Sequence, residues 1–87
     1  MHAVVVKVTI LDPEPAERAL KEQVVPRVSQ APGFVAGYWT RKDNNGFSTI
    51  IFESEDAARA ASEQIQSPDP SAVTVDEVEL REVVAHA

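Results

Sequence analysis

The sequence predicts an α+β domain in the order β-α-β-β-α-β: a four-stranded antiparallel sheet with two helices on one face. Three observations predict it. Runs of β-branched residues open and close the chain. An Asp-Pro-Glu helix start follows the first run. The run Asp43-Asn44-Asn45-Gly46 then joins two aromatic-bearing segments as a hairpin signal, since Asn and Gly tolerate the positive φ of tight turns.

His2 to Leu11 reads as the first strand, with five Val or Ile. Val4, Val6, Val8 and Ile10 fall on one face; Ala3, Val5, Lys7, Thr9 and Leu11 fall on the other. Both faces are largely apolar, which describes a central strand covered on both sides.

Asp12 is the expected N-cap of the first helix, with Pro13 at its first position and Glu14 facing the positive end of the dipole. Ala16, Ala19, Leu20, Val24 and Val28 form its apolar stripe. Glu14–Arg18 and Glu17–Lys21 are i,i+4 pairs in the favourable order, each worth about 0.3 kcal/mol. Pro26 removes one backbone bond and is expected to kink or tighten the last turn before Ala31-Pro32-Gly33.

The second strand runs from Phe34 to Arg41 and the third from Phe47 to Glu53. Loops at Asn45-Gly46 or at 43–46 give one sidedness. Val35, Trp39, Arg41, Ile50 and Phe52 share a face, and Phe34, Ala36, Tyr38, Thr40, Phe47 and Ile51 share the other. Ser54 caps the second helix, whose apolar face is Ala57, Ala58, Ala60, Ala61 and Ile65. An alanine face either lies close on the sheet or leaves room above it. Ser67-Pro68-Asp69-Pro70-Ser71 is a stiff connector. Val73 to Val84 is the last strand, and a phase change at Asp76-Glu77 predicts a bulge.

This order is the split βαβ, or ferredoxin-like, arrangement, and 87 residues make a single domain spanning 1–87. Two helices cover only one side of the sheet, while Phe34, Tyr38, Phe47 and Ile51 load the other. A homodimer packing sheet against sheet through those four residues resolves the mismatch.

Composition narrows the function. A net charge of −6 argues against nucleic acid and against anionic membrane surfaces. With no Cys there is no disulfide framework and no thiolate chemistry, and a reducing cytoplasm is the expected location. The apolar start is too brief for a signal peptide, and no run is long enough to span a bilayer. His2 and His86 lie near the two ends with no Cys to assist them, so no metal site is expected. Asp76, Glu77, Glu79 and Glu82 read as a solvated face. No nucleophile elbow, phosphate loop or dinucleotide fingerprint occurs.

With "APGFVAGYW", the Asn-Gly hairpin and "IIFESEDAARAA", the chain resembles the dimeric α+β barrel superfamily, particularly its antibiotic-biosynthesis-monooxygenase-like branch. The resemblance covers nearly the whole chain. It implies two sheets closing into a barrel across a dimer, with pockets between each sheet and its helices. Haem-degrading members carry an Asn on the first strand, a Trp before the Glu-Ser pair and a His on the second helix. Here the first strand is Val-rich, Phe52 precedes Glu53-Ser54, and 50–66 holds no His, so no cofactor is expected. Cofactor-free monooxygenase members line their pocket with Trp, Tyr, Asn and Arg, types present here as Trp39, Tyr38, Asn44 and Arg41.

The candidate ligand site is Trp39 and Phe52 as a stacking wall, Arg41 at the rim, and Ala57 and Ala61 opposite. The same residues also suit plain core packing, with Leu20, Val24 and Ile65 filling the space. The expected function is binding of a small apolar or aromatic ligand between sheet and helices. The alternative is a cofactor-free, monooxygenase-like enzyme acting on a phenol or quinone. The dimer is the more direct test of this reading. Sedimentation at micromolar concentration should give twice the chain mass, and Phe47→Asp or Ile51→Asp should dissociate or unfold it, since an unpaired buried carboxylate costs several kcal/mol. A monomeric wild type, or either variant persisting as a stable dimer, would overturn the face assignment.

Overall fold

The computed structural model describes residues 1–67 and 69–87. The elements are β1 (His2–Ile10), α1 (Pro13–Ala19), a π-helical turn (Leu20–Val24), α2 (Val25–Ser29), β2 (Phe34–Lys42), β3 (Asn45–Phe52), α3 (Glu55–Ser62) and β4 (Val73–Glu82). The strands form one antiparallel sheet in the order β2-β3-β1-β4. α1, the π turn and α2 run end to end as one helical arm, and α3 is the second. This is the predicted α+β, ferredoxin-like architecture. Of the connector at 67–71, Pro68 lies outside the described residues.

The first arm starts at Pro13, but the Asp12 side chain makes no capping hydrogen bond; its carbonyl instead accepts from the Ala16 N–H at 3.1 Å. Of the kink or tightened turn expected at Pro26, the tightening is absent. The turn before it widens, and the Val25 N–H reaches back to the Leu20 carbonyl. A proline that cannot donate, two positions into α2, leaves an upstream carbonyl without its α-helical partner, and a π turn absorbs the mismatch. The cap of α3 is as predicted, with Ser54 Oγ accepting from the Ala57 N–H at 3.1 Å.

The hairpin turns at Asp43-Asn44, with Asp43 in the left-handed region at φ 56°. The expected loops lay further along, at Asn45-Gly46 or over 43–46. Parity is unchanged, but the pairs move: Arg41 faces Gly46 and Trp39 faces Ser48. Gly46 therefore serves close approach rather than turn geometry. A Cβ there would sit 2.5 Å from Val8 Cγ2.

Two irregularities set the faces. The bulge foreseen in the last strand is present: Lys7 pairs with Glu77 and Val8 with Val75, leaving Asp76 extra and accepting from Thr9 Oγ1 at 2.6 Å. β4 ends at Glu82, two residues short of the expected limit. The second irregularity, at Val35, is not legible in the pattern. Phe34 pairs with Phe52 and Ala36 with Ile51, so one residue is extra. Phe34, assigned above to the open face, is thereby turned under the helices, and its ring meets Phe52 edge to face at 6.2 Å and 77°. Val35 is turned out to solvent.

The core joins Val4, Val6, Ile50, Phe52 and Ala58, with Phe34, Trp39, Val28, Ala57 and Ala61 packed on it. The alanine face of α3 lies close on this end of the molecule. A Cβ on Gly33, which sits at φ 81°, would come within 2.8 Å of Ala57 Cβ. Ala60, placed on the apolar face by the pattern, is exposed. On the opposite face of the sheet, Ala3 and Val5 are shielded between neighbouring strands and Ile51 is half-buried. Tyr38 is 66% exposed and Phe47 42%. Among the described residues, no helix is long and apolar enough to cross a membrane.

Candidate functional site

The space between sheet and helices has two unlike halves. At the end marked by Val4 and Phe52, the Phe34–Phe52 pair and the alanines of α3 fill it. Towards the hairpin, the residues on that face of β3 shrink to Ser48 and Gly46, and no aromatic ring replaces Phe52. A cavity of about 360 Å³ remains there.

Its floor is Val6, Val8, Ile50, Ser48 and Gly46 of the sheet, and its roof is Leu20, Val24 and Val28 of the first arm. Ile65 and the polar stretch 64–67 close the side beyond α3. Trp39 forms a wall. The far edge of its indole folds back over Gly37, where a Cβ would meet ring atoms Cη2 and Cζ3 at 2.7 and 2.9 Å. The ring thus leans toward the Phe34 end and leaves the hairpin end clear.

The predicted site residues divide between the halves. Trp39 and Arg41 line the cavity. Phe52, Ala57 and Ala61 do not; they belong to the filled half. The hairpin register explains the difference, because Trp39 faces Ser48 while Phe52 faces Phe34. Of the residues expected at a dimer interface, Tyr38, Phe47 and Ile51 lie on the open side of the sheet, whereas Phe34 is turned to the helices.

Sequence reasoning missed Ser48 and the hairpin-end glycine as features of the site. Ser48 is buried on the helix side of β3, and among the described residues its hydroxyl makes no hydrogen bond. A small polar residue in a strand otherwise alternating large apolar ones was the available signal.

Apart from Arg27, the charged residues of the lining gather at one mouth. Glu17 and Lys21 pair at 3.0 Å, and this bond holds the Glu17 carboxyl below its ordinary range, with a smaller contribution from Arg41 nearby. Glu14 and Arg18 pair beside them at 3.6 Å. Arg41 lines both the apolar cavity and this charged mouth, and among the described residues no carboxylate lies within ion-pair distance of it. His2 is remote, at the Phe52 end, with Nε2 3.7 Å from Glu55. Among the described residues no group of three or more His, Cys, Asp or Glu is arranged to hold a metal.

The Trp39 placement predicts the effect of Gly37→Ala. The added methyl must push the indole toward the cavity, costing about 1–3 kcal/mol and shifting Trp39 emission. Unchanged stability and emission would show that the ring does not lie over Gly37.

No family model and no curated protein matches this chain. Among solved structures it is similar to one of the haem-degrader MhuD from Mycobacterium tuberculosis with two haems bound in its active site. The identity is 23%, the TM-score 0.51, and the match covers 97% of this chain and 98% of that one. That likeness concerns the fold, and it agrees with the strand order and helix placement described above. What the likeness shows is a shared fold: a four-stranded antiparallel sheet with its helices packed on one face.

Proposed function

We propose that this protein is a homodimer that binds a small, flat, apolar ligand in the cavity beside Trp39. The observation that carries the reading is the cavity itself: about 360 Å³, apolar on floor and roof, walled by one indole. That volume lies within the range of small-molecule sites, and an aromatic wall favours a planar ligand by about 0.5–1.5 kcal/mol beyond the area buried. The exposed Tyr38 and Phe47 beside half-buried Ile51 support a second copy against the open face of the sheet.

Haem is the ligand of the similar structure, but the donor set here does not fit an axially held haem. The cavity lining contains no His, Cys, Met or Tyr among the described residues. The other reading within this fold is cofactor-free oxygenation of a phenol. It requires a base beside the substrate, and Glu17, the one carboxylate among the described lining residues, is tied to Lys21. Ligand binding is therefore the reading we favour.

Trp39 is the only tryptophan, so its emission reports this site alone. Titration with 2-naphthol or a naphthoquinone should quench or shift it saturably. By calorimetry, Trp39→Phe should bind the same compounds more weakly, by a few-fold to tenfold, while sedimenting like the wild type. No response to planar phenols or quinones, with Trp39→Phe lowering only the melting temperature, would make Trp39 plain core. Oxygen consumption with any bound phenol would favour the enzyme reading instead.

A further inference from the structure

We infer that the ligand is an aromatic acid, lying with its rings against Trp39, a polar edge over Ser48 and its anionic group at Arg41. This rests on the cavity reading above and adds to it the chemistry of the ligand. Two independent features of the site point to it.

The first is the arginine. In a protein of net charge −6, an arginine without a carboxylate partner is unusual company for an apolar cavity. Its neighbours at the mouth, Lys21 and Arg18, are already paired with Glu17 and Glu14. Arg41, like Lys21, lines both the cavity and the mouth, but unlike Lys21 it has no ion-pair partner among the described residues; the other unpaired arginine of the lining, Arg27, does not reach the mouth. A guanidinium presents a planar fork of donors suited to a carboxylate, and charge-assisted pairs of this kind are stronger than neutral hydrogen bonds.

The second is the serine. Ser48 is 8% exposed, lines the cavity floor and, among the described residues, has no hydrogen-bond partner. The Ser48 hydroxyl opens onto the cavity, so a bound group able to donate or accept can take up its hydrogen bond. Register fixes its relation to the other two residues. Ser48 faces Trp39 directly, and Arg41, facing Gly46, is its diagonal neighbour. Diagonal positions in an antiparallel pair are roughly 7–8 Å apart, a distance that a fused bicyclic acid spans.

The test compares 2-naphthoate with its neutral isostere 2-naphthamide on the full-length chain, read by Trp39 emission and by calorimetry. The wild type should bind the acid at least tenfold more tightly than the amide, with a preference that declines as salt is added. Arg41→Gln should abolish that preference, and Arg41→Lys should retain part of it. With 6-hydroxy-2-naphthoate, Ser48→Ala should remove any advantage of the hydroxyl. Equal binding of acid and amide by the wild type, or a preference that survives Arg41→Gln, overturns the assignment of an acidic ligand while the apolar cavity reading stands. If neither compound binds, the assignment and the cavity reading both fail.

Discussion

The edge-to-face contact between Phe34 and Phe52 is the constraint on which the rest of the molecule depends. It exists because one extra residue at Val35 turns Phe34 from the open side of the sheet to the helix side. Two rings at the same end of the layer fill it, and α3 can then sit close enough for Ala57 to meet Gly33. A helix faced with alanine packs well only on a floor that is already full. The aromatic volume spent there is missing at the hairpin end, where Ser48 and Gly46 leave the first arm without a surface to rest on.

The cavity is therefore a consequence of how side-chain volume is distributed along β2 and β3. Trp39 stands at the boundary, its ring turned over Gly37 toward the filled half. The π turn lies directly above the empty half, and its Leu20 and Val24 form part of the roof. A widened turn of this kind is held by fewer optimal backbone bonds than an α-helical one. The chain thus places its weakest helical geometry over its least packed floor.

Much of this was legible in the sequence. Element order, the apolar first strand, the Ser54 cap and the Asp76 bulge follow from local patterns, because capping, β-branching and phase are properties of near neighbours. What escaped was the register. The run Asp43-Asn44-Asn45-Gly46 offers several turns of one parity, so Trp39 could be assigned to the helix side while its partner, Ser48, could not. The bulge at Val35 leaves no phase change among the apolar residues Phe34 to Tyr38, all of which suit either face. Phe52 and the alanines, expected at a pocket wall, therefore lie in the core, whereas Trp39 and Arg41, beyond the bulge, line the cavity.

The central claim is that the hairpin half of the sheet–helix layer is open and the Phe52 half is full. Filling the open half tests it most directly, and Ser48→Leu adds volume where the floor is small. Chemical denaturation of Ser48→Leu against the wild type should show a gain of about 0.5–2 kcal/mol, as for other cavity-filling substitutions, together with loss of naphthol binding. A loss of about 1–3 kcal/mol, the usual penalty for overpacking a filled core, would contradict the account, as would naphthol binding that survives the substitution.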